Sequence, residues 1–120
     1  MTKADNPESS NMAVERGVVV TVASPGDFGK PRPALVIQGQ FPRNPELITV
    51  ALITSDLLKV PNVRVPVKPT TANGLRKDSE IAVDNIQTFS RRRIGAVIGR
   101  MNQETMTRVD AALTIFLGLA

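Results

Sequence analysis

Hydrophobic and polar positions follow a short period over most of the chain and change to a helical period near its end. Runs rich in Val, Ile and Thr alternate with clusters of Gly, Pro, Asn and Ser, a pattern typical of short antiparallel strands joined by turns. The predicted strands are residues 16–23, 34–38, 46–55, 62–68 and 79–84. Pro66 cannot donate to a strand ladder, so the fourth run is expected at a sheet edge or at a bulge.

The last part of the chain has apolar residues three and four positions apart, which predicts an amphipathic helix. The stripe consists of Met106, Val109, Leu113, Phe116 and Leu117. Asn102 precedes it and is a suitable N-cap. Several strands followed by one helix predict a mainly β fold of the α+β class, a small twisted sheet or partly closed barrel with the helix over one face or end.

The chain divides into a short tail and one domain. Residues 1–13 are polar and have no apolar periodicity, so they are expected to form a disordered N-terminal tail. Residues 14–120 are expected to form a single domain, because a chain of 120 residues can bury about two thirds of its unfolded surface in one core.

Composition removes several classes of function. The chain has no Cys, His, Trp or Tyr, which excludes disulfides, thiol nucleophiles, imidazole acid–base pairs and the common transition-metal sites. No carboxylate cluster has the spacing of metal ligands, so neither a metal nor a cofactor is expected. No run is apolar enough to cross a bilayer, and the start does not resemble a signal peptide, so a cytoplasmic protein is expected.

The charge distribution predicts an acidic partner. The net charge is +4, and between Lys59 and Arg100 there are nine basic residues against three acidic ones. The run Arg91–Arg93 is most simply a solvated face, but it could also contact phosphates or an acidic peptide. Aromatic residues make up only 3% of the chain, which argues against a general single-strand binder that stacks bases; Phe28 is the clearest stacking candidate.

The segment from Gly29 to Pro33 holds an arginine on a stiff backbone. Pro31 and Pro33 flank Arg32, and each proline fixes its φ angle. A preorganised guanidinium suits bidentate binding of a phosphate. The plainer interpretation is a surface charge beside a rigid turn.

Two hydroxyl groups stand at the end of the longest apolar run. Thr54 and Ser55 follow Ile53, where a buried strand would emerge from the sheet. Their hydroxyls could donate to a phosphate oxygen. They could equally begin a turn, because Ser and Thr next to Asp56 often satisfy local backbone groups.

Taken together and in order, these motifs resemble the MazF/PemK-like toxins over nearly the whole range from Arg16 to Leu119. The segments that carry the resemblance are Arg16–Gly17, Gly29–Ile37, Ile53–Ser55, Val83–Asp84 with Ile86 and Thr88, and Ile94–Gly95. The resemblance implies an SH3-like small barrel of antiparallel strands, as in MazF and CcdB. It also implies a homodimeric, metal-independent endoribonuclease that cuts single-stranded RNA and is neutralised by an acidic antitoxin of the MazE/PemI kind.

The resemblance, together with the basic residues of the chain, gives a set of expected site residues. Arg32 matches the family's catalytic arginine and Thr54 its catalytic hydroxyl, while Asp27 is the secondary candidate because some members have Glu in this loop. Asp27 is also the expected general base, since Arg stays protonated and the chain has no His. The residues expected to bind RNA are Phe28, Lys30, Ser55, Arg64, Arg76, Lys77 and Asp84. The chain departs from the family pattern at Val18, where members often have Asp, and at Ala82, where some have a catalytic Arg.

Two functions of other classes stay open at this point. A nonenzymatic RNA-binding barrel would bind RNA in a salt-sensitive way without needing Arg32. A CcdB-like gyrase poison would have a similar fold and a protein target. The second resembles this chain less, because that group lacks the Lys-Pro-Arg-Pro loop and ends in a Trp that is absent here.

Overall fold

A computed structural model describes residues 14–23, 30–40 and 44–119 of the protein. Within these residues six strands are followed by one helix. The strands are β1 (Val18–Val22), β2 (Arg32–Val36), β3 (Leu47–Thr54), β4 (Arg64–Val67), β5 (Ser79–Ser90) and β6 (Ile94–Arg100), with a 3-10 turn at Arg91–Arg93 and the helix α1 at Gln103–Phe116. The predicted fold class, mainly antiparallel β with a C-terminal helix, is confirmed. The predicted tail lies outside the described residues.

The strands form one antiparallel sheet in the order β4-β5-β3-β2-β1-β6. β4 lies at an edge of this sheet, which is one of the two placements, edge or bulge, expected for the strand that contains Pro66. The loop after β4 reaches the opposite edge, because the N–H of Arg100 in β6 donates to the carbonyl of Ala72 at 2.8 Å. The sheet therefore curls into a partly closed barrel.

Side chains on both faces of the sheet are buried. In β2, Leu35 points to a cluster that also contains Val109 of α1, while Ala34 and Val36 point to a second cluster that contains Phe89. A sheet covered on both faces needs apolar residues at successive positions of its strands. This accounts for the nearly continuous apolar runs of the sequence.

The helix begins where the sequence predicts, and the first part of the apolar stripe packs against the sheet. The side-chain oxygen of Asn102 accepts a hydrogen bond from the N–H of Thr105 at 2.8 Å, which caps α1. Met106 and Val109 are buried against the sheet, whereas Phe116 and Leu117 at the helix end are exposed. Among the described residues, no helix is long and apolar enough to cross a membrane.

Two strands differ from the predicted elements by more than two residues at an end. β5 continues to Ser90 through an irregularity: Ala51 pairs with Ile86 and Ile53 with Ile81, so five steps along β5 match two along β3. This bulge interrupts the alternation of the sequence, and the predicted strand therefore ended at Asp84.

The strand β6 was not predicted, because its two glycines and small side chains obscure the strand pattern. Close packing explains why position 99 is a glycine. A Cβ added at Gly99 would lie 2.4 Å from the carbonyl carbon of Asn73 and 2.5 Å from the carbonyl oxygen of Ala72. The loop after β4 can approach β6 this closely only when position 99 carries no side chain.

We therefore expect Gly99→Ala to destabilise the barrel. Overpacking of this kind costs about 1–3 kcal/mol, which corresponds to a fall in Tm of roughly 4 °C or more. The matched control is Gly39→Ala, since a Cβ at Gly39 meets no atom within 4 Å. Thermal unfolding of both variants tests this, and equal Tm values would contradict the close approach.

Candidate active site

Arg32 begins β2 and Thr54 ends β3, and these two strands are neighbours in the sheet. β2 and β3 pair with Ala34 opposite Leu52, and the same register continued by two residues places Arg32 opposite Thr54. Because side chains alternate along a strand, both point to the face that carries Ala34. Opposite residues of antiparallel strands have Cβ atoms about 5 Å apart. The pairing thus joins the two residues that the resemblance assigns to catalysis.

The register extends this pair into a line of residues across the whole sheet, which we call the transverse row. Thr54 lies opposite Glu80 and Glu80 opposite Pro66, while on the other side Arg32 lies opposite Val22 and Val22 opposite Ile94. The row contains one residue from each strand: Ile94, Val22, Arg32, Thr54, Glu80 and Pro66. Its polar members are three consecutive positions in the middle of the sheet.

Arg32 begins β2 and is exposed to solvent. Pro31 precedes it and Pro33 follows it, so its backbone has little freedom. Lys30, which was predicted to bind RNA, is also exposed two residues earlier. The two cations therefore lie at the beginning of β2, where the transverse row crosses this strand.

Thr54 ends β3 and is half-buried. Its Oγ1 accepts a hydrogen bond from the N–H of Asp56 at 3.0 Å. A hydroxyl has one proton to donate and two lone pairs, so this contact orients the oxygen and leaves its proton for another acceptor. The turn interpretation of Thr54 and its use as a donor are therefore compatible. Ser55 is exposed beside it.

Glu80 is a buried carboxylate of the site that sequence reasoning missed. It is 2% exposed, and its two oxygens accept hydrogen bonds from the N–H groups of Leu58 at 3.1 Å and Lys59 at 2.9 Å. Arg64 approaches the same carboxylate at 3.3 Å. An acidic residue is rarely buried without a partner. An acidic residue at the start of an apolar strand, with an arginine on the preceding strand, was therefore the feature of the sequence that could have indicated this buried pair.

Arg64 is held between two carboxylates. Its Nε donates to Asp84 at 2.9 Å, its Nη1 to Glu80 at 3.3 Å, and its side chain is 12% exposed. Burial acts to lower the pKa of Arg64, but the hydrogen bonds and charges of Asp84 and Glu80 outweigh it and raise that pKa above its ordinary value. Arg64 and Asp84, both predicted to bind RNA, thus pair with each other, and an RNA contact by either stays a prediction.

The other predicted site residues are spread over the surface or lie outside the described residues. Arg76 and Lys77 are exposed on the loop between β4 and β5, and no strand pairing connects them to Arg32. Asp27 and Phe28 fall in a segment that the structure does not describe. In the three described stretches of the chain, no three acidic side chains come together in a way that could hold a metal ion.

The fold and the site define a small, single-sheet β protein with a terminal helix and a polar row that starts at an arginine between prolines. The family described as "PemK-like, MazF-like toxin of type II toxin-antitoxin system" matches residues 15–117. A probable endoribonuclease MazF of Mycolicibacterium smegmatis is 37% identical over 109 residues, which cover 89% of this chain and 99% of the relative.

Solved structures agree in fold. An endoribonuclease in complex with its cognate antitoxin, from a mycobacterial species, has a TM-score of 0.73 at 23% identity and covers 88% of this chain and 96% of its own. The Mycobacterium tuberculosis toxin MazF-mt6 has a TM-score of 0.70 at 26% identity, with coverage of 85% and 98%. The protein belongs to the PemK-like, MazF-like family of toxins, as the sequence resemblance predicted.

Proposed function

We propose that this toxin is an endoribonuclease that cuts single-stranded RNA at the transverse row, with Arg32 and Thr54 at the reacting phosphate. The observation that supports the proposal is the β2–β3 register, in which Ala34 lies opposite Leu52; continued by two residues, it puts Arg32 opposite Thr54. The name of the M. smegmatis relative, a probable endoribonuclease, supports the same activity. The chain would act on messenger RNA in the cytoplasm and thereby stop translation and growth.

The chemistry suits a protein without histidine. The 2′-hydroxyl of the RNA attacks the adjacent phosphorus and the bond to the 5′-oxygen breaks, which leaves a 2′,3′-cyclic phosphate and a 5′-hydroxyl end. Negative charge grows on the nonbridging oxygens, where a preorganised guanidinium stabilises it. Arg32 supplies that group and Thr54 donates one further hydrogen bond. Asp27 is the group assigned to accept the 2′-hydroxyl proton, and water protonates the leaving oxygen.

An acidic antitoxin is the proposed protein partner. The excess of basic residues between Lys59 and Arg100 gives the surface a charge complementary to such a partner. A fold relative has been solved in complex with its cognate antitoxin. An antitoxin segment lying over Arg32 would exclude RNA from the same surface.

The activity is tested by incubating the purified protein with a long single-stranded RNA in the presence of a chelator and mapping every new end. Arg32→Ala protein, prepared identically, is the control. Discrete cuts at a short recurring sequence, absent in the control, are expected. RNA left intact by folded protein, with or without binding, would contradict the proposal and favour a nonenzymatic barrel or a gyrase poison.

The end of α1 provides a surface for the proposed homodimer. Four exposed apolar side chains lie here: Ile115, Phe116, Leu117 and Leu119. A cluster of this kind marks an interaction surface more often than a solvated one. A second copy of the chain would cover it.

We expect sedimentation to show a dimer at micromolar concentration and Ile115→Glu to weaken association at least about tenfold, because it buries a charge in the interface. Gln103→Glu adds the same charge at the other end of α1 and should leave the dimer intact. A wild-type monomer at micromolar concentration would rule out this interface.

A further inference from the structure

The buried carboxylate of Glu80 has lost its hydration, and three neighbouring groups replace it. A carboxylate taken out of water costs several kcal/mol unless hydrogen bonds and a counter-charge replace its hydration. Glu80 receives two backbone N–H groups, from Leu58 and Lys59, on its two different oxygens, and Arg64 supplies the charge. Both N–H groups belong to the loop that follows Thr54, residues 55–60, which we call the Glu80 loop.

The Glu80 loop is fixed in a conformation that it would not adopt freely. Lys59 has a φ of 59°, in the left-handed region that side chains other than glycine rarely occupy. The N–H of the same residue is the donor at 2.9 Å to Glu80. The hydrogen bond to the buried carboxylate therefore offsets the backbone strain at this position.

The Glu80 loop in turn orients the hydroxyl of Thr54. Asp56 lies in the loop, and its N–H is the donor to Thr54 Oγ1 at 3.0 Å. This bond occupies one lone pair and fixes the direction of the remaining O–H. Glu80 lies opposite Thr54 in the register, so the carboxylate that holds the loop is also the direct neighbour of the residue that the loop orients.

We propose that Glu80 is a positioning residue that acts through the Glu80 loop and the N–H of Asp56 to aim the hydroxyl of Thr54 at the reacting phosphate. The inference rests on the proposed endoribonuclease activity. Glu80 makes no contact with the RNA in this account. Its effect is on the rate of the chemical step, because a small misplacement of a catalytic group is costly to the rate.

The variant Glu80→Gln tests this role when it is compared with a nearby variant that removes the same charge. Glutamine keeps the size, but its NH₂ group would face one of the two loop N–H groups, donor against donor. We expect kcat to fall roughly ten- to hundredfold while KM changes less than about twofold, since Lys30 and Arg32 are retained and Arg64 keeps Asp84 as a partner. Asp78→Asn is the matched control: the same charge is removed two residues away, from an exposed carboxylate 3.7 Å from Lys68. It should keep kcat.

A double-mutant cycle with Thr54→Val tests the route of the effect under single-turnover conditions. If Glu80 acts through the Thr54 hydroxyl, Glu80→Gln has almost no further effect once that hydroxyl is gone. Independent, multiplying losses would overturn the proposal while leaving the activity assignment intact. Failure of the proposed function would look different: the wild-type protein would not cut, or Thr54→Val would cut at the wild-type rate.

Two further measurements keep the proposal testable if Glu80→Gln does not fold. Glu80→Asp keeps the charge opposite Arg64 but is one methylene too short to reach both N–H groups, so it should fold and still lose kcat. In the unaltered protein, amide exchange should show protection at Leu58 and Lys59. Full kcat in Glu80→Asp, or unprotected amides at both positions, would overturn the assignment.

Discussion

Replacing Arg32 with alanine should remove detectable RNA cleavage and leave the folded protein unchanged. The side chain is exposed at the start of β2 and fills no part of either apolar cluster, so its loss opens no cavity. Loss of one preorganised donor to a developing oxyanion costs about 3–4 kcal/mol, or roughly 10²–10³-fold in rate. Cleavage of a mapped RNA site, with thermal unfolding as the check on folding, measures both effects.

Two variants sharpen the interpretation of Arg32→Ala. Arg32→Lys keeps the charge but loses the planar fork, and it should remain strongly impaired, because a guanidinium binds a phosphate through two donors. Arg108→Ala makes the same substitution on α1, which packs on the other face of the sheet; this side chain contacts the row only through the backbone carbonyl of Pro66, at 3.4 Å in the edge strand, and the variant should cut at close to the wild-type rate. An active, folded Arg32→Ala protein would refute the site.

Replacing Thr54 with valine should slow cleavage by roughly ten- to hundredfold with little change in shape. Valine keeps the β-branched form that suits the end of β3, and only the hydroxyl is lost. A hydrogen bond to a charged group contributes about 1.5–3 kcal/mol, which sets the expected range. Rates measured at saturating RNA report this loss directly.

Thr54→Ser is the control, because serine retains a hydroxyl that can accept from Asp56 and donate to the phosphate. It should recover most of the activity. Equal rates for the valine and serine variants would show that the hydroxyl of Thr54 has no part in the reaction.

Local signals in the sequence were sufficient to predict most of the fold. The helix was found because its stripe and the cap at Asn102 are local features. Pro66 has no backbone N–H, so an edge position or a bulge was predicted for its strand, and β4 lies at the edge. The bulge in β5 and the glycine-rich β6 were missed, since both depend on contacts with distant segments: β5 bends between two registers with β3, and Gly99 lies against Ala72.

The site residues, like the strands, were predicted where the signal is local and missed where it depends on distant contacts. Arg32 and Thr54 were predicted because their motifs resemble those of the family, and the β2–β3 register, continued by two residues, puts them opposite each other. Glu80 was missed because its burial depends on partners on another strand and in a loop, Arg64 and Lys59. Arg64 was predicted to contact phosphate from its charge alone, a property that says nothing about the carboxylates beside it. Charge is visible in a sequence, whereas charge pairing is a property of the fold.

The most direct test of the central claim uses a short RNA that contains one mapped cut site, together with the same RNA carrying a single 2′-deoxy nucleotide on the 5′ side of that cut. If the transverse row promotes attack by the 2′-hydroxyl, the protein will cut the first RNA to a 2′,3′-cyclic phosphate and a 5′-hydroxyl end, and will bind but not cut the second. Cleavage of the deoxy-substituted RNA at the same position, or fragments with 5′-phosphate ends, would contradict the account.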